Sequence, residues 1–562
     1  MERIFSEYFP YVRHAARLPA SIDGDVERER HRVVIVGGGP TGLALGLGLA
    51  RHGVRPVVLE ADDTVCTGSR AGAFTRRTIE ILQQLGIADD VMKTGLGWSQ
   101  GWTYWRDREV FRLAMPNDDD QQYPPAVSHL QNWIEHLMVE AAACEDAVEI
   151  RWQSKLSGLE QSADGVRLSV ATPAGSYSMQ ADWVVACDGG RSRVREAMEL
   201  PLHGTRYAGR YVIIDVRMKT DDLPAGRRCW FDPASKPGGT LLMYKKPEGM
   251  VRFDYQLSDD EDEVVEMQPE RVFARVDAHL SMLGISRPWE PVWMTLYRAS
   301  AMTLDRYRHG RVLFAGDAAH LVPIFGVRGM NSSIDDAHNL AWKLAFVVRG
   351  LGRDSLLDSY SDERVYAARE NLRFAMKSAE FMAPPSAPFR LMRDAVLSLA
   401  EHHPWVAQLA NPRQHSAIPL VHSCLNAFPE RSDEFTAGPA PGEILPECPV
   451  LDNGRSTWLT RLLGAHFTIL WFGEVARAPQ PATRLPLVVR SLPRSSDPSG
   501  HLYAKFGATE DTLYLVRPDG HVLARWRSAV ESEVSSALAQ VQALPCPEIP
   551  GALRSQAVRP PA

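Results

Sequence analysis

Gly37, Gly39 and Gly42 stand in the run GGGPTG, directly after the apolar stretch Val33 to Val36 and before a helical pattern of small residues from Leu43 to His52. That spacing suits a strand, a tight turn and a helix. Gly37 permits the turn, Gly39 lets a pyrophosphate approach the backbone, and Gly42 lets helix and strand pack closely, with Thr41 in the same turn. Glu60, about 20 residues further on at the end of a second apolar strand, has the place of a carboxylate that accepts from ribose hydroxyls. The competing reading, a glycine turn in an α/β protein without ligand, leaves Glu60 unexplained. Two more carboxylates follow apolar strands far along the chain: Asp188 in CDGGRSRVRE and Asp317 in GDAAH. Asp317 is placed to bind polyol hydroxyls at the edge of a parallel sheet. The turn after it, with Gly326 and Gly329, opens an amphipathic helix whose dipole favours negative charge at its start.

The elements that must position these groups read as follows. Residues 1–30 form an N-terminal arm without a clear period. Residues 31–200 and 300–385 form one discontinuous dinucleotide-binding domain, with helical periodicity at 76–87 and 130–142. Between them, residues 201–299 alternate as strands (YVIIDVRM, GTLLMYKK, MVRFDYQL) and read as a separate antiparallel sheet. Residues 386–437 are helical and proline-punctuated and end in a linker at TAGPAPGEILPECP. Residues 438–562 alternate strand and helix around a PDG hairpin, a thioredoxin-like pattern that lacks CxxC.

Composition narrows the function. A formal charge of −7 with scattered basic residues excludes a general nucleic-acid field, and no run reaches the apolar length of a membrane span. Seven cysteines spread singly give no metal-ligand spacing and fit a reducing cytoplasm. His320 reads as a packed structural residue, and no metal site is expected.

The ordered set GGGPTG, GSRAGAFTRRTIEIL (68–82), CDGGRSRVRE (187–196) and HGRVLFAGDAAH with GMNSSIDDAHNLAWKLA (309–345) resembles the class A flavoprotein aromatic hydroxylases, on the hydroxyphenylpropionate and phenol hydroxylase side of that family. The resemblance implies an α/β fold: a Rossmann-like FAD-binding domain of the para-hydroxybenzoate hydroxylase type, an inserted antiparallel α+β substrate domain and a thioredoxin-like C-terminal domain. It implies FAD as cofactor, NADH or NADPH as co-substrate, dioxygen, and a small phenolic or similarly activated aromatic substrate hydroxylated through a C4a-hydroperoxyflavin. Membrane and nucleic acid are not expected as partners; a homodimer is.

By the same resemblance, Gly37, Gly39 and Gly42 take the pyrophosphate and Glu60 the adenosine ribose. Arg70 approaches the pyrophosphate, Gln131 the flavin side and Asp317 the ribityl chain. The backbone at Gly329, Met330 and Asn331 meets the flavin edge, and Asp188 serves FAD and the nicotinamide cofactor. The turn PIFGVRGMN departs from the family, where glycine-glycine-glutamine is common before GMN. Substrate candidates on the sheet are Trp230, Met243, Tyr244, Arg252, Tyr255 and Tyr297, each of which competes with a purely core role. Two other readings stay open: epoxidation, Baeyer-Villiger or ring-opening oxidation of a polyketide or drug-like ring, and a non-catalytic binding or assembly protein.

Overall fold

The structure is a computed structural model that describes residues 2–19, 22–23, 25–145, 147–410, 417–429 and 434–543. Cys546 and the end of the expected C-terminal domain lie outside the described residues. The first strand, β1 (Val26–Val36), starts within the expected arm, because alternating exposure at its charged start still lets the backbone pair before the buried run Val33 to Val36 begins. Helix α1 (Pro40–Arg51) follows, with Pro40 at its first position, where no amide is missed. Strand β2 (Val57–Leu59), helix α2 (Gln131–Glu145) and strand β3 (Gly175–Ala186) complete the first pass. β1 pairs in parallel with both β2 and β3, and over Val33–Val36, Val57–Leu59 and Trp183–Ala186 all three are apolar, as a sheet covered on both faces requires.

The chain then builds the second sheet from β4 (His203–Met218), β5 (Arg227–Phe231), β6 (Thr240–Lys245), β7 (Met250–Leu257) and β8 (Trp289–Thr303). Its order is β8, β4, β7, β6, β5, antiparallel throughout, and the strand Gln100–Trp105 joins β5 in parallel. Helix α3 (Pro269–Met282) covers one face, burying Val272, Val276 and Leu280 with Val212, Ile214, Val251, Phe253 and Tyr255. The expected arm is part of this sheet: Glu2–Ile4 pairs with β8, and the Tyr8 hydroxyl donates to Asp215 at 2.6 Å. Such an edge strand of three residues carries no periodic signal of its own.

Strand β9 (Val312–Phe314) returns to the first sheet beside β3. Helix α4 (Gly329–Val348) packs on α1 and helix α5 (Leu356–Met382) on α4; α6 (Ala387–Ala400) follows. The C-terminal sheet holds β10 (Phe467–Phe472), β11 (Leu487–Ser491), β12 (Thr512–Val516) and β13 (Val522–Trp526) in the order β11, β10, β12, β13, with only β10 and β11 parallel, and helix α7 (Glu531–Ala543) behind it. This is a thioredoxin-like arrangement. Between β10 and β11, only the short turn Val475–Arg477 is helical, so no long helix follows the first strand. The stretch read as a linker is instead packed: Leu445 and Cys448 are buried in the C-terminal core, and the Gly442 and Leu445 amides donate to Val522 and Gly520 carbonyls.

Candidate functional site

Three strand ends of the first sheet and one helix start converge. At the end of β1, Gly37 has φ +104°, and a Cβ there would lie 2.5 Å from the Cys187 carbonyl oxygen. A Cβ on Gly42 would lie 1.9 Å from the Gly37 carbonyl oxygen, so helix and turn touch backbone to backbone. Gly39 differs: a Cβ there meets nothing within 4 Å, which leaves room over the turn for a ligand. The Glu60 carboxylate, just after β2, accepts from the Gly38 amide (2.6 Å) and the Asp62 amide (2.8 Å), and burial pushes its carboxyl upward. Thr41 packs against Gly316, whose φ of +62° would otherwise put a Cβ 2.5 Å from the threonine hydroxyl.

At the end of β3, one Asp188 oxygen accepts from the Arg193 (2.6 Å) and Val194 (3.1 Å) amides, holding the start of a short helix. Its other oxygen is buried without a partner, and burial raises the carboxyl. At the end of β9, Asp317 is exposed, in a turn that Asp336 of α4 ties down through the Gly316 amide. Burial raises its carboxyl against the opposing pull of His320 and Arg70. Arg70 itself is exposed, with no hydrogen bond from its guanidinium among the described residues. Gln131, the first residue of α2, accepts from the Ala71 amide (2.9 Å) and donates to Glu135 (2.8 Å), which fixes the loop that carries Arg70.

Helix α4 begins with the amides of Gly329, Met330 and Asn331, ahead of the first intrahelical bond from Ser332 to Arg328. A Cβ on Gly329 meets nothing within 4 Å. The Asn331 side chain is spent on structure: it accepts from the Thr75 amide (2.9 Å) and donates to the Ala73 carbonyl (3.3 Å). His320 is fully buried and bonds Asp336 at 2.7 Å; Asp336 also takes Arg364 at 2.6 Å and the Gly316 amide at 3.0 Å. Burial alone would raise Asp336, but Arg364 and His320 hold it below the usual carboxylate range. This triad fixes the Asp317 turn to α4 and α5; the sequence marks only His320 of the three.

The second sheet supplies the facing wall, and here alternation corrects half of the substrate candidates. Trp230, Met243 and Tyr255 belong to the face packed under α3, away from Phe325 and the turn before α4. Tyr244 and Tyr297 lie on the opposite face with Tyr211, Cys229 and Leu242, against Ile324 and Phe325 of the turn before α4. Arg252 shares that face but is occupied: it donates twice to Asp215 at 2.8 Å, to the Arg70 carbonyl at 2.7 Å and to the Ser69 carbonyl. A strand period of two separates the sets, but which set faces the cofactor side is a tertiary fact. Near the other end of β1, the ligand atoms of Glu27, Glu29 and His31 approach within 4.8 Å, but both Glu27 oxygens already take Arg151 at 2.8 Å.

Comparison with known proteins agrees with this geometry. The family described as FAD binding domain matches residues 30–375. The 3-(3-hydroxy-phenyl)propionate/3-hydroxycinnamic acid hydroxylase of Escherichia coli K12 is 26% identical over 540 residues, 92% of this chain and 96% of that protein. Among solved structures, the flavin-dependent monooxygenase PieE in complex with FAD and substrate aligns with a TM-score of 0.78 at 24% identity, covering 92% of this chain and 99% of that one. The p-nitrophenol 4-monooxygenase PnpA of Pseudomonas putida DLL-E4 aligns with a TM-score of 0.59 at 28% identity, covering 68% of this chain and 96% of that one. With its glycine turn, carboxylates that follow the ends of adjacent strands, and more than half of its length matched, the chain belongs to the FAD binding domain family and is an FAD-dependent monooxygenase.

Proposed function

We propose that the protein is a single-component monooxygenase that uses FAD and NADH or NADPH to hydroxylate a phenolic or similarly activated aromatic compound. The observation that carries this reading is one side of the molecule: Asp317 is exposed at the end of β9, while the face of the second sheet that meets the turn before α4 is aromatic and closed. The residues fit a flavin dinucleotide. Open space stands over Gly39 and Gly329, and Asp188 keeps a buried, unpartnered oxygen. In this reading Gly37, Gly39, Thr41 and Gly42 shape the pyrophosphate site, with Arg70 neutralising it. Glu60 takes the adenosine ribose, Gln131 steadies the flavin side and Asp317 takes the ribityl chain. The amides at Gly329, Met330 and Asn331 offer donors to the flavin edge, where the helix dipole favours negative charge. Asp188 serves the shared FAD and nicotinamide region.

Bound FAD, reduced by the nicotinamide cofactor, supplies the activation of dioxygen. The chain's own residues orient the ring, exclude water through Phe325, Tyr297 and Leu242, and hold the negative charge of the cofactor. The hydroxyphenylpropionate and nitrophenol relatives support an aromatic substrate. The test is purified protein loaded with FAD, assayed for substrate-stimulated NADH and NADPH oxidation with phenols, phenolic acids and hydroxylated heteroaromatics, with mass spectrometry of products. Stoichiometric hydroxylated product is expected; colourless protein that takes up no FAD overturns the reading.

Free thiols at Cys66, Cys144, Cys187, Cys229, Cys424 and Cys448 fit a cytoplasmic protein, and no described helix is long and apolar enough to cross a membrane. The exposed row Phe389, Leu391, Met392, Leu399, Trp405 and Leu409 supports pairing of two copies. Sedimentation at micromolar concentration is expected to give twice the chain mass; a single-chain mass removes the dimer.

A further inference from the structure

On the face of the second sheet opposite α3, cross-strand pairing sets the side chains in rows. Arg227, Tyr244, Arg252 and Asp215 form one row, and Cys229, Leu242, Asp254 and Ile213 form the next. Tyr211 stands diagonally from Asp254, beside Tyr297. The two aspartates one position apart are treated in opposite ways. Asp215 is saturated by Arg252, Tyr8 and Lys246. Asp254, 5% exposed at the centre of the face, has no hydrogen bond or ion pair to either oxygen among the described residues, and one oxygen is sealed from solvent. Its neighbour cation Arg252 has turned its donors to Asp215 and to the Ser69 and Arg70 carbonyls.

The Tyr211 hydroxyl is the second orphan. It is fully buried without a partner, and its ring packs edge-on against Phe325 at 5.2 Å. A buried carboxylate and a buried hydroxyl, both unsatisfied and diagonal to each other on one face, are costly to keep, and Arg227 Nε further along that face is unpaired as well. Together they match one chemical group: a ring hydroxyl, which donates to a carboxylate and accepts from a phenol at once.

We propose that Asp254 and Tyr211 are the substrate-hydroxyl site, Asp254 accepting the hydrogen bond and then the proton of a phenol, and Tyr211 donating to the same oxygen. This rests on the monooxygenase reading and narrows its substrate class to phenols over aryl ethers. The step balances: the phenol O–H bond breaks, a carboxyl O–H bond forms on Asp254, and one negative charge passes to the phenolate oxygen held by Tyr211. No electrons leave the pair, and the phenolate ring is the more nucleophilic one. The charged and titratable groups around Asp254 are Arg252 on its own strand, Asp215 on β4 and Lys246 just beyond β6, with Tyr211, Tyr244, Cys229 and Arg227 on the other strands of the face and Arg393 of α6 over it. Burial raises the Asp254 carboxyl and Asp215 adds to this, while Arg252 and Lys246 oppose them, so it is poised as a proton acceptor.

The probe is p-nitrophenol, whose phenol and phenolate forms differ in colour, with p-nitroanisole as its methyl ether, titrated into the FAD-loaded full chain. Wild type is expected to bind p-nitrophenol with the phenolate band enhanced at a pH where free probe is mostly protonated, and to reject the ether. Asp254→Asn and Tyr211→Phe should lose roughly 10- to 100-fold in p-nitrophenol affinity and the first should lose the phenolate band, with FAD content unchanged. Because Asp254 has no partner in the free protein, Asp254→Asn and Asp254→Leu should melt no lower than wild type; a structural carboxylate would lower both. Equal binding of phenol and ether, unchanged affinity in Asp254→Asn, or absence of p-nitrophenol binding to wild type overturns the proposal. If the probe binds through Asp254 but no phenol ever stimulates NADH or NADPH oxidation, the monooxygenase reading on phenols fails and this site stands.

Discussion

Glycines that look alike in GGGPTG do different work, and their surroundings separate them. Gly42 has no space for a side chain, since the Gly37 carbonyl would sit 1.9 Å from its Cβ, whereas Gly39 has open space above it. Gly42→Ala therefore forces apart the turn and α1, at a cost of about 1–3 kcal/mol in stability, and loses FAD. Gly39→Ala should fold with nearly wild-type stability yet take up FAD poorly, because its methyl projects where the pyrophosphate would lie. A thermal melt and the flavin absorbance of the two purified variants separate these outcomes; equal FAD content in Gly39→Ala and wild type would refute the assigned role. Glu60 illustrates the same logic at a carboxylate. It already accepts two amides, so its remaining lone pairs, not its charge alone, are what a ribose would use.

At the scale of elements, the turn PIFGVRG before α4 is where this chain is individual. Val327 has φ +54°, a left-handed conformation that a β-branched residue rarely adopts. The next residue holds the turn in place. Arg328 is buried, donates to Asn371 at 3.1 Å and lies over the Phe374 ring at 5.4 Å, both on α5, while burial pushes its guanidinium down to about 10. Val327→Gly should relieve the backbone and raise stability by about 1 kcal/mol, read from denaturant midpoints; a lower midpoint would show that the valine side chain outweighs its strain. The departure from the common glycine-rich turn was legible in the sequence, but its consequence was not, because it depends on α5 lying alongside. The same limit explains the substrate candidates. MVRFDYQL announces a strand, yet nothing local says whether Arg252 and Asp254 or Phe253 and Tyr255 face the cofactor side. Nothing in the sequence singles out Asp254, and only its burial without partners marks it. By contrast the places of Glu60, Asp188 and Asp317 just after strand ends were legible, since strand end and glycine turn are both local signals.

For the whole molecule, the decisive junction is between the thioredoxin-like domain and the flavin-binding body. They share one apolar core, in which Trp342 and Phe346 of α4 pack with Phe467, Ile469, Leu513 and Leu523 of the C-terminal sheet. Inside it lies a charge cluster. Arg517 donates to both Glu363 oxygens (2.8 and 2.9 Å) and to Asp519 (3.0 Å), Lys343 donates to Glu363 (2.6 Å), and Asp519 of the PDG hairpin takes Trp342 (2.9 Å) and Asn339 (3.1 Å). Every charged member is at most 1% exposed. Removing Arg517 leaves two buried carboxylates short of their strongest partner, so Arg517→Met should cost about 3–5 kcal/mol. Burial by itself would raise Glu363 and Asp519, yet Arg517, with Lys343 on the first and His521 on the second, holds both well below the usual carboxylate range. A carboxyl depressed in the fold contributes stability that is present above its unfolded value, near pH 4, and lost as the pH falls through its folded value. Wild-type docking should therefore be flat from pH 7 to about 5 and weaken below roughly pH 4. In Arg517→Met the main cause of the depression is gone and burial pushes both carboxyls upward, so docking should already be weak at pH 7 and should not weaken further, or should recover, as the pH falls toward about 4. Limited proteolysis between the two parts, followed against pH, measures this; identical acid profiles for the two proteins would mean that the cluster does not fasten the domain. Deleting residues 440–562 is the more severe form of the same change, because it exposes Trp342, Phe346 and the Lys343–Glu363 pair at once, and it should yield an aggregating body with no retained melting transition.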